Sequence, residues 1–267
     1  MQLRAIALAI AREVAPIPTL AQPRTLAART LATSTKSSDV DLVTELDQAT
    51  ELAIAKAILA RRPHDGLLGE EGAASASTSG YTWVVDPIDG TVNYFYGLSN
   101  WAISLGVIDA HGTPVVGVVH APALGETFVA AKGCGAHLIL GDQWHPLTPP
   151  PEVPLELALL ATGFSYDRSR RAQMGAAFAN LVPRVRDFRR MGSAALDICN
   201  TAAGRIHGYY ERDLKPWDLA AAQVVASEVG LSIHFVGDRL GHNLTIAGPI
   251  ALAARLRAEL AQLGVID

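Results

Sequence analysis

Leu3, Ile6, Ile10 and Val14 recur at helical spacing, so residues 2–15 read as an amphipathic helix that Pro16, Pro18 and Pro23 end. A second helix is expected over 25–31, then a polar turn over 34–39 containing Lys36. Thr44 and Asp47 have capping-box spacing, which places a helix start there, with Leu52, Ala55 and Leu59 as its apolar stripe and Arg61-Arg62-Pro63 as its close. The period then shortens. Residues 67–69 form a strand that ends in Glu70-Glu71, and 73–80 is small and polar, read as a mobile loop. Adjacent side chains on an extended segment point opposite ways, so one of Glu70 and Glu71 is expected to face inward and the other outward. Trp83-Val84-Val85 is a buried strand. Strands over 102–108, 115–120, 126–131 and 137–140, with turn signals at Ala110-His111-Gly112 and Gly141-Asp142, read as an antiparallel meander.

A proline-rich stretch at 148–154 is the clearest linker. Beyond it the pattern alternates: strand 157–161, helix 168–181, helix 193–203 with Ser193 near its start and Gly204 at its end, and strand 208–211 closing on Glu211. Helix 219–228 follows, with Asp218 placed as its N-cap. Strands 231–235 and 244–247 precede a last helix opened by Pro249 at N1 and running to about residue 263. Strands followed by helices on both sides of the linker predict a layered α/β chain. Its expected halves are 1–148, an α+β half with an antiparallel sheet, and 155–267, an α/β half, forming one compact unit with any site expected between them.

Composition narrows the function classes. Apolar residues make up 49 % of the 267 residues and charged residues 18 %, enough for a substantial core. The net charge of −4, with no basic block, leaves no footprint for nucleic acid. No apolar run reaches the ~18 residues of a membrane span. The short run 5–11 after Arg4 has the look of a signal-peptide core, but Arg12 and Glu13 interrupt it and the amphipathic helix is the better reading. Cys134 and Cys199 lie far apart, without metal spacing, and read as two buried thiols in a reduced compartment, the cytoplasm.

One stretch carries chemistry. Asp86-Pro87-Ile88-Asp89-Gly90-Thr91 follows the strand at 83–85. Pro87 removes a backbone donor and breaks regular pairing. Gly90 allows φ > 0 or close approach of a ligand. Two carboxylates, a glycine and a hydroxyl suit hard cations held by oxygen and amide groups facing an anion. By itself the stretch is equally an Asp-Gly turn between strands.

The ordered set of motifs resembles the inositol monophosphatase family. The residues that carry the resemblance are Gly69-Glu70-Glu71, residues 86–91, Trp217-Asp218, residues 40–44 with Asp47, Asn93 with Gly97, and Gly192-Ser193-Ala194-Ala195. It spans nearly the whole chain. The departures are Gly230 followed by Leu231 where a second glycine is common, Ser99 where proline is usual, and a loose match over the linker and the first 35 residues.

The resemblance implies an alternating αβαβα sandwich and Mg²⁺-dependent, lithium-sensitive hydrolysis of a phosphate monoester, in a homodimer. It implies one ion held by Glu70, Asp86 and the Ile88 carbonyl, a second by Asp86, Asp89 and Asp218, and a third, looser ion near Glu70. Glu70 and Thr91 would address the attacking water, with Asp47 polarising Thr91. Asp89, Gly90, Thr91, Gly192, Ser193, Ala194 and Glu211 would bind substrate, Glu211 through sugar-ring hydroxyls. The leading substrate is inositol 1-phosphate or a close polyol phosphate. Histidinol phosphate, fructose 1,6-bisphosphate and an adenosine 3′,5′-bisphosphate are the alternatives, and Lys215 bears on a second phosphate. A non-catalytic binding protein on the same fold would not need so many converging acids.

Overall fold

The computed structural model describes residues 2–23, 39–165, 167–237 and 243–265. The expected helix over 25–31 lies outside them, as does the expected turn up to residue 38. Two helices, α1 (Gln2–Val14) and α2 (Pro16–Ala21), open the chain. Pro16 therefore starts a short new helix as well as ending the first, since proline's missing N–H is harmless at N1. Helix α3 (Asp39–Arg61) begins before Thr44, so that residue lies inside a helix and is not its cap. The stripe read as apolar faces outward: Leu52 and Leu59 are exposed, while Asp47, Thr50, Glu51, Ile54 and Ile58 are buried. Polar residues on the inner face mark contact with a site, and that masked the period.

The first sheet comprises β1 (Gly66–Gly69), β2 (Ala74–Ser75), β3 (Tyr81–Asp89), β4 (Ala102–Asp109), β5 (Pro114–Ala121), β6 (Glu126–Ala131), β7 (Ala136–Leu140) and β8 (Gln143–Pro146), with the five-residue helix α4 (Thr91–Phe95) after β3. Its order is β2-β1-β3-β4-β5-β6-β7-β8. The expected meander runs from β3 to β8, and β1 joins it parallel to β3. The loop over 73–80 contains β2 and is pinned: Ser79 Oγ donates to Asp65 at 2.5 Å and the Thr78 N–H to the His64 carbonyl at 2.9 Å. Asp65 also accepts from Trp83 Nε1 at 2.9 Å, so the loop is fastened to the base of β3.

The second sheet comprises β9 (Leu159–Thr162), β10 (Asp187–Arg189), β11 (Gly208–Arg212), β12 (Ser232–Gly237) and β13 (Asn243–Gly248), in the order β10-β9-β11-β13-β12. Its helices are α5 (Arg168–Leu181), α6 (Ala194–Ala202), α7 (Pro216–Glu228) and α8 (Ile250–Gln262). Helix α7 starts earlier than expected, placing Asp218 at N3 and not at the cap; there its carboxylate accepts the Lys215 N–H at 2.7 Å. Pro249 is likewise the cap of α8 and not its first residue.

Strand alternation sorts side chains into layers. Ile103, Leu105 and Val107 of β4 pack with Ile10 of α1 and Ile54 of α3. Ala102 of β4 and Val119 and Ala121 of β5, on the opposite face, pack on α6 and α7, which also meet Ala161, Tyr209 and Ala247 of the second sheet. Leu160, Leu244 and Ile246 on that sheet's far side pack on Leu252, Leu256 and Leu260 of α8. Helices, sheet, helices, sheet, helices is the expected αβαβα sandwich. Cys199 is buried as expected, whereas Cys134 is exposed. It sits between Gly133 and Gly135, whose N–H groups cap the Glu228 carboxylate at 2.8 and 2.7 Å, and this turns the thiol outward.

Candidate active site

At the end of β3 the pairing slips. Asp86 faces Ser104 and Asp89 faces Ala102, so β3 advances three residues while β4 advances two. A proline without an N–H sits inside this bulge and helps to turn both acids out of the ladder. Asp86 Oδ1 accepts the Ile88 N–H at 3.0 Å. Gly90 follows at φ 94°; a Cβ there would meet the Asn100 carbonyl at 2.8 Å and the Gly192 carbonyl at 3.2 Å, so only glycine fits. Thr91 then opens α4, and its hydroxyl donates to the Ile88 carbonyl at 3.1 Å.

These residues line a cavity of about 830 Å³ that reaches both sheets. From the first half come Asp47 on α3, Glu70 after β1, and Asp86, Ile88, Asp89, Gly90 and Thr91. From the second come Gly192, Ala194, Glu211 and Asp218. Ser193 does not line it; it is buried behind the wall, where its hydroxyl donates to Asp89 Oδ2 at 2.5 Å and accepts the Leu196 N–H at 3.3 Å. The Ala195 and Ala194 N–H groups reach Asp89 at 2.8 and 3.3 Å, so the N-terminus of α6 in one half grips an acid from the other. Glu70 and Glu71 both line the cavity: β1 ends at Gly69, and the turn that follows does not obey strand alternation.

The acids converge closely. One carboxylate oxygen from each of Asp86, Asp89 and Asp218 lies within 4.8 Å of the other two. Glu70 lies beside Asp86, close enough for each carboxyl group to influence the other's ionisation. Burial raises Asp86 well above its ordinary range, and Asp89, Glu70 and Asp218 add to the shift. Asp89 is raised by burial and then by Asp218, against the pull of its Ser193, Ala195 and Ala194 donors. Burial also raises Glu70 and Asp218. Asp47 is pushed up to about 8, chiefly by burial and then by Glu71, Glu70 and Glu51. Glu211 is raised to about 7 by burial, with the Tyr209 hydroxyl bond at 2.7 Å and Arg190 opposing. So many buried like charges disfavour ionisation in the bare protein; a divalent cation is the group that reverses this. The donor set, all oxygen, fits a hard cation.

Arg190, Phe95, Tyr96 and Arg212 also line the cavity and were missed from the sequence. Arg190 had a signal, since it stands two residues before Gly192. Phe95, the last residue of α4, and Tyr96, its C-cap, had none, because an aromatic residue at a short helix reads as core.

Fold and cavity together define the class: a layered αβαβα protein in which segments from both sheets bring converging carboxylates to one cleft, a donor set suited to cations. The chain belongs to the inositol monophosphatase family, whose sequence model matches residues 1–262. It is 41% identical over 228 residues to an inositol-1-monophosphatase SuhB of Mycobacterium tuberculosis, covering 84% of this chain and 77% of that protein. A solved structure of Mycobacterium tuberculosis SuhB superposes with a TM-score of 0.84 at 36% identity, covering 100% of this chain and 98% of that one. A structure of the SaIMPase-II enzyme with inositol monophosphate bound matches with a TM-score of 0.74 at 30% identity, covering 96% of this chain and 92% of that one. The protein is accordingly a phosphoric monoester hydrolase. Among the described residues no helix is long and apolar enough to cross a membrane.

Proposed function

We propose that this enzyme is a Mg²⁺-dependent inositol monophosphatase or a phosphatase of a closely similar polyol phosphate. The observation that carries the reading is the convergence of Asp86, Asp89 and Asp218. Glu70, Asp86, the Ile88 carbonyl, Asp89 and Asp218 would hold two to three Mg²⁺ ions. Bound there, the ions supply charge neutralisation at the attacking and leaving oxygens of an in-line displacement. The chain's own groups do the rest. The N–H groups of Gly90 and Thr91 receive the phosphate. Glu70 orients a water and takes its proton. Asp47 would polarise the Thr91 hydroxyl, which donates to the Ile88 carbonyl, and the second lone pair of that carbonyl would be left for a cation. Glu211, anchored by Tyr209, accepts hydrogen bonds from polyol hydroxyls with its remaining capacity.

Phosphate release from inositol 1-phosphate, histidinol phosphate, fructose 1,6-bisphosphate and adenosine 3′,5′-bisphosphate, with and without Mg²⁺, tests the reading. Inositol 1-phosphate should be preferred and Mg²⁺ required. Asp86→Asn should abolish turnover while circular dichroism stays unchanged, because the most deeply placed carboxylate of the set that would hold the cations loses its charge. Turnover by the folded variant at saturating Mg²⁺ would overturn the assignment. Lys215 and Arg190 in the cavity wall favour a bisphosphate as the second reading, and the same panel decides it. Lithium sensitivity and a homodimer are proposed from family membership, tested by adding Li⁺ to that assay and by light scattering. The exposed thiol of Cys134 supports a cytoplasmic location, checked by fractionating cells.

A further inference from the structure

Glu51 is a buried acid with no place in the chemistry above. It stands one helical turn after Asp47 on α3 and is 3% exposed. Its two carboxylate oxygens accept two backbone amides of the turn that follows β1: the Glu71 N–H at 2.9 Å and the Ala73 N–H at 2.8 Å. Gly69, the last residue of β1, packs flat against the same carboxylate, and a Cβ there would collide with it. The turn is closed on itself by the Gly69 N–H donating to the Ala73 carbonyl at 2.7 Å, and the Glu70 N–H donates to the Val85 carbonyl of β3 at 3.1 Å. Glu70 is thus held on one side by β3 and on the other by amides that Glu51 organises.

We propose that Glu51 is a positioning residue for the cation site: its carboxylate fixes the Glu70–Glu71 turn so that Glu70 meets Asp86. The proposal rests on the cation reading above. A buried carboxylate placed among Asp47, Glu70 and Glu71 opposes folding unless it is well hydrogen-bonded, and the two amides supply that compensation. A neutral acceptor of the same shape cannot satisfy both amides, because the amide group of glutamine offers one oxygen and two further donors. Helix α3 therefore sets two things at once. It presents Asp47 to the cavity and, four residues on, clamps the turn that carries Glu70.

The test uses Mn²⁺ as an electron-spin-resonance probe of cation binding to the full-length chain, beside steady-state kinetics. Glu51→Gln should fold, as judged by circular dichroism, and bind Mn²⁺ about 10-fold more weakly, the usual scale for losing a group that orients a ligand. Its KM for Mg²⁺ should rise by a similar factor. Gly69→Ala reaches the same carboxylate without touching an acid and should shift Mn²⁺ binding in the same direction. In both variants, amide hydrogen exchange of the peptide spanning 66–75 should accelerate. Wild-type Mn²⁺ affinity in both folded variants would overturn the positioning role while leaving the cation reading intact. A wild-type chain that binds no Mn²⁺ would overturn both.

Discussion

Single residues at this site are held by groups far away in the chain. Asp89 is gripped by Ser193, Ala194 and Ala195, and Glu211 by Tyr209. The contact between Asp89 and Ser193 was invisible in sequence, since a serine before Ala194 reads fully as a helix cap, which it also is. Glu211 was legible as a strand-end acid. What could not be read is its burial, which raises its pKa to about 7, or the space that lets it sit there: a Cβ on Gly163 would collide with its carboxylate. Glu211→Ala should raise KM for inositol 1-phosphate ~10-fold or more, because lost hydrogen bonds to a charged group cost about 1.5–3 kcal/mol. Hydrolysis of a simple aryl phosphate should change little, and initial-rate kinetics on both substrates separates specificity from a general structural loss.

Among the elements, α7 does most to join the two halves. It lies on β4 and β5 through small residues. A Cβ on Gly106 would come within 2.6 Å of the Ala220 Cβ, and one on Gly117 would strike the Ala221 carbonyl. This close approach lets Asp218, in the first turn of α7, reach Asp86 and Asp89. Gly117→Ala should therefore destabilise the protein by about 1–3 kcal/mol through overpacking. Gly175, inside α5, has open space around its would-be Cβ. Gly175→Ala should stabilise by about 0.5–1 kcal/mol, since it removes a flexible residue from a helix interior. Urea denaturation of the two variants checks the opposite signs. The helix 216–228 was legible from its apolar run, but its start lies three residues earlier than cap chemistry suggested: Lys215, not Asp218, is the cap.

At the scale of the molecule, the halves bring many acids together, and their titration sets how stability depends on pH. Burial lifts Asp47 to about 8 and Glu211 to about 7, and it raises Asp86, Asp89, Glu70 and Asp218. An acid whose folded pKa lies above its unfolded value of about 4 stabilises the fold below that value and loses the contribution as pH rises through the folded pKa. Cation-free protein should thus lose stability between about pH 4 and 8. Mg²⁺ favours the ionised carboxylates and should restore it, with the gain in Tm larger at about pH 8 than at about pH 5.5. Differential scanning calorimetry at both pH values, with and without Mg²⁺, checks this; equal gains would remove the acid cluster as the source.

The chain alone made the β-meander, most helices and the layered architecture legible, because strand period and proline and glycine positions are local properties; the acids it marked were element-end residues, joined into one set only by the family resemblance. The tertiary structure alone decided the rest. It turned Leu52 and Leu59 of α3 outward and Glu51 inward, made β1 run parallel to β3, and set Asp89 on the N-terminus of α6. Those outcomes depend on which surfaces meet across two sheets. A buried polar face chosen for a site has no apolar period to announce it, and a backbone amide more than a hundred residues away leaves no trace beside the acid it binds.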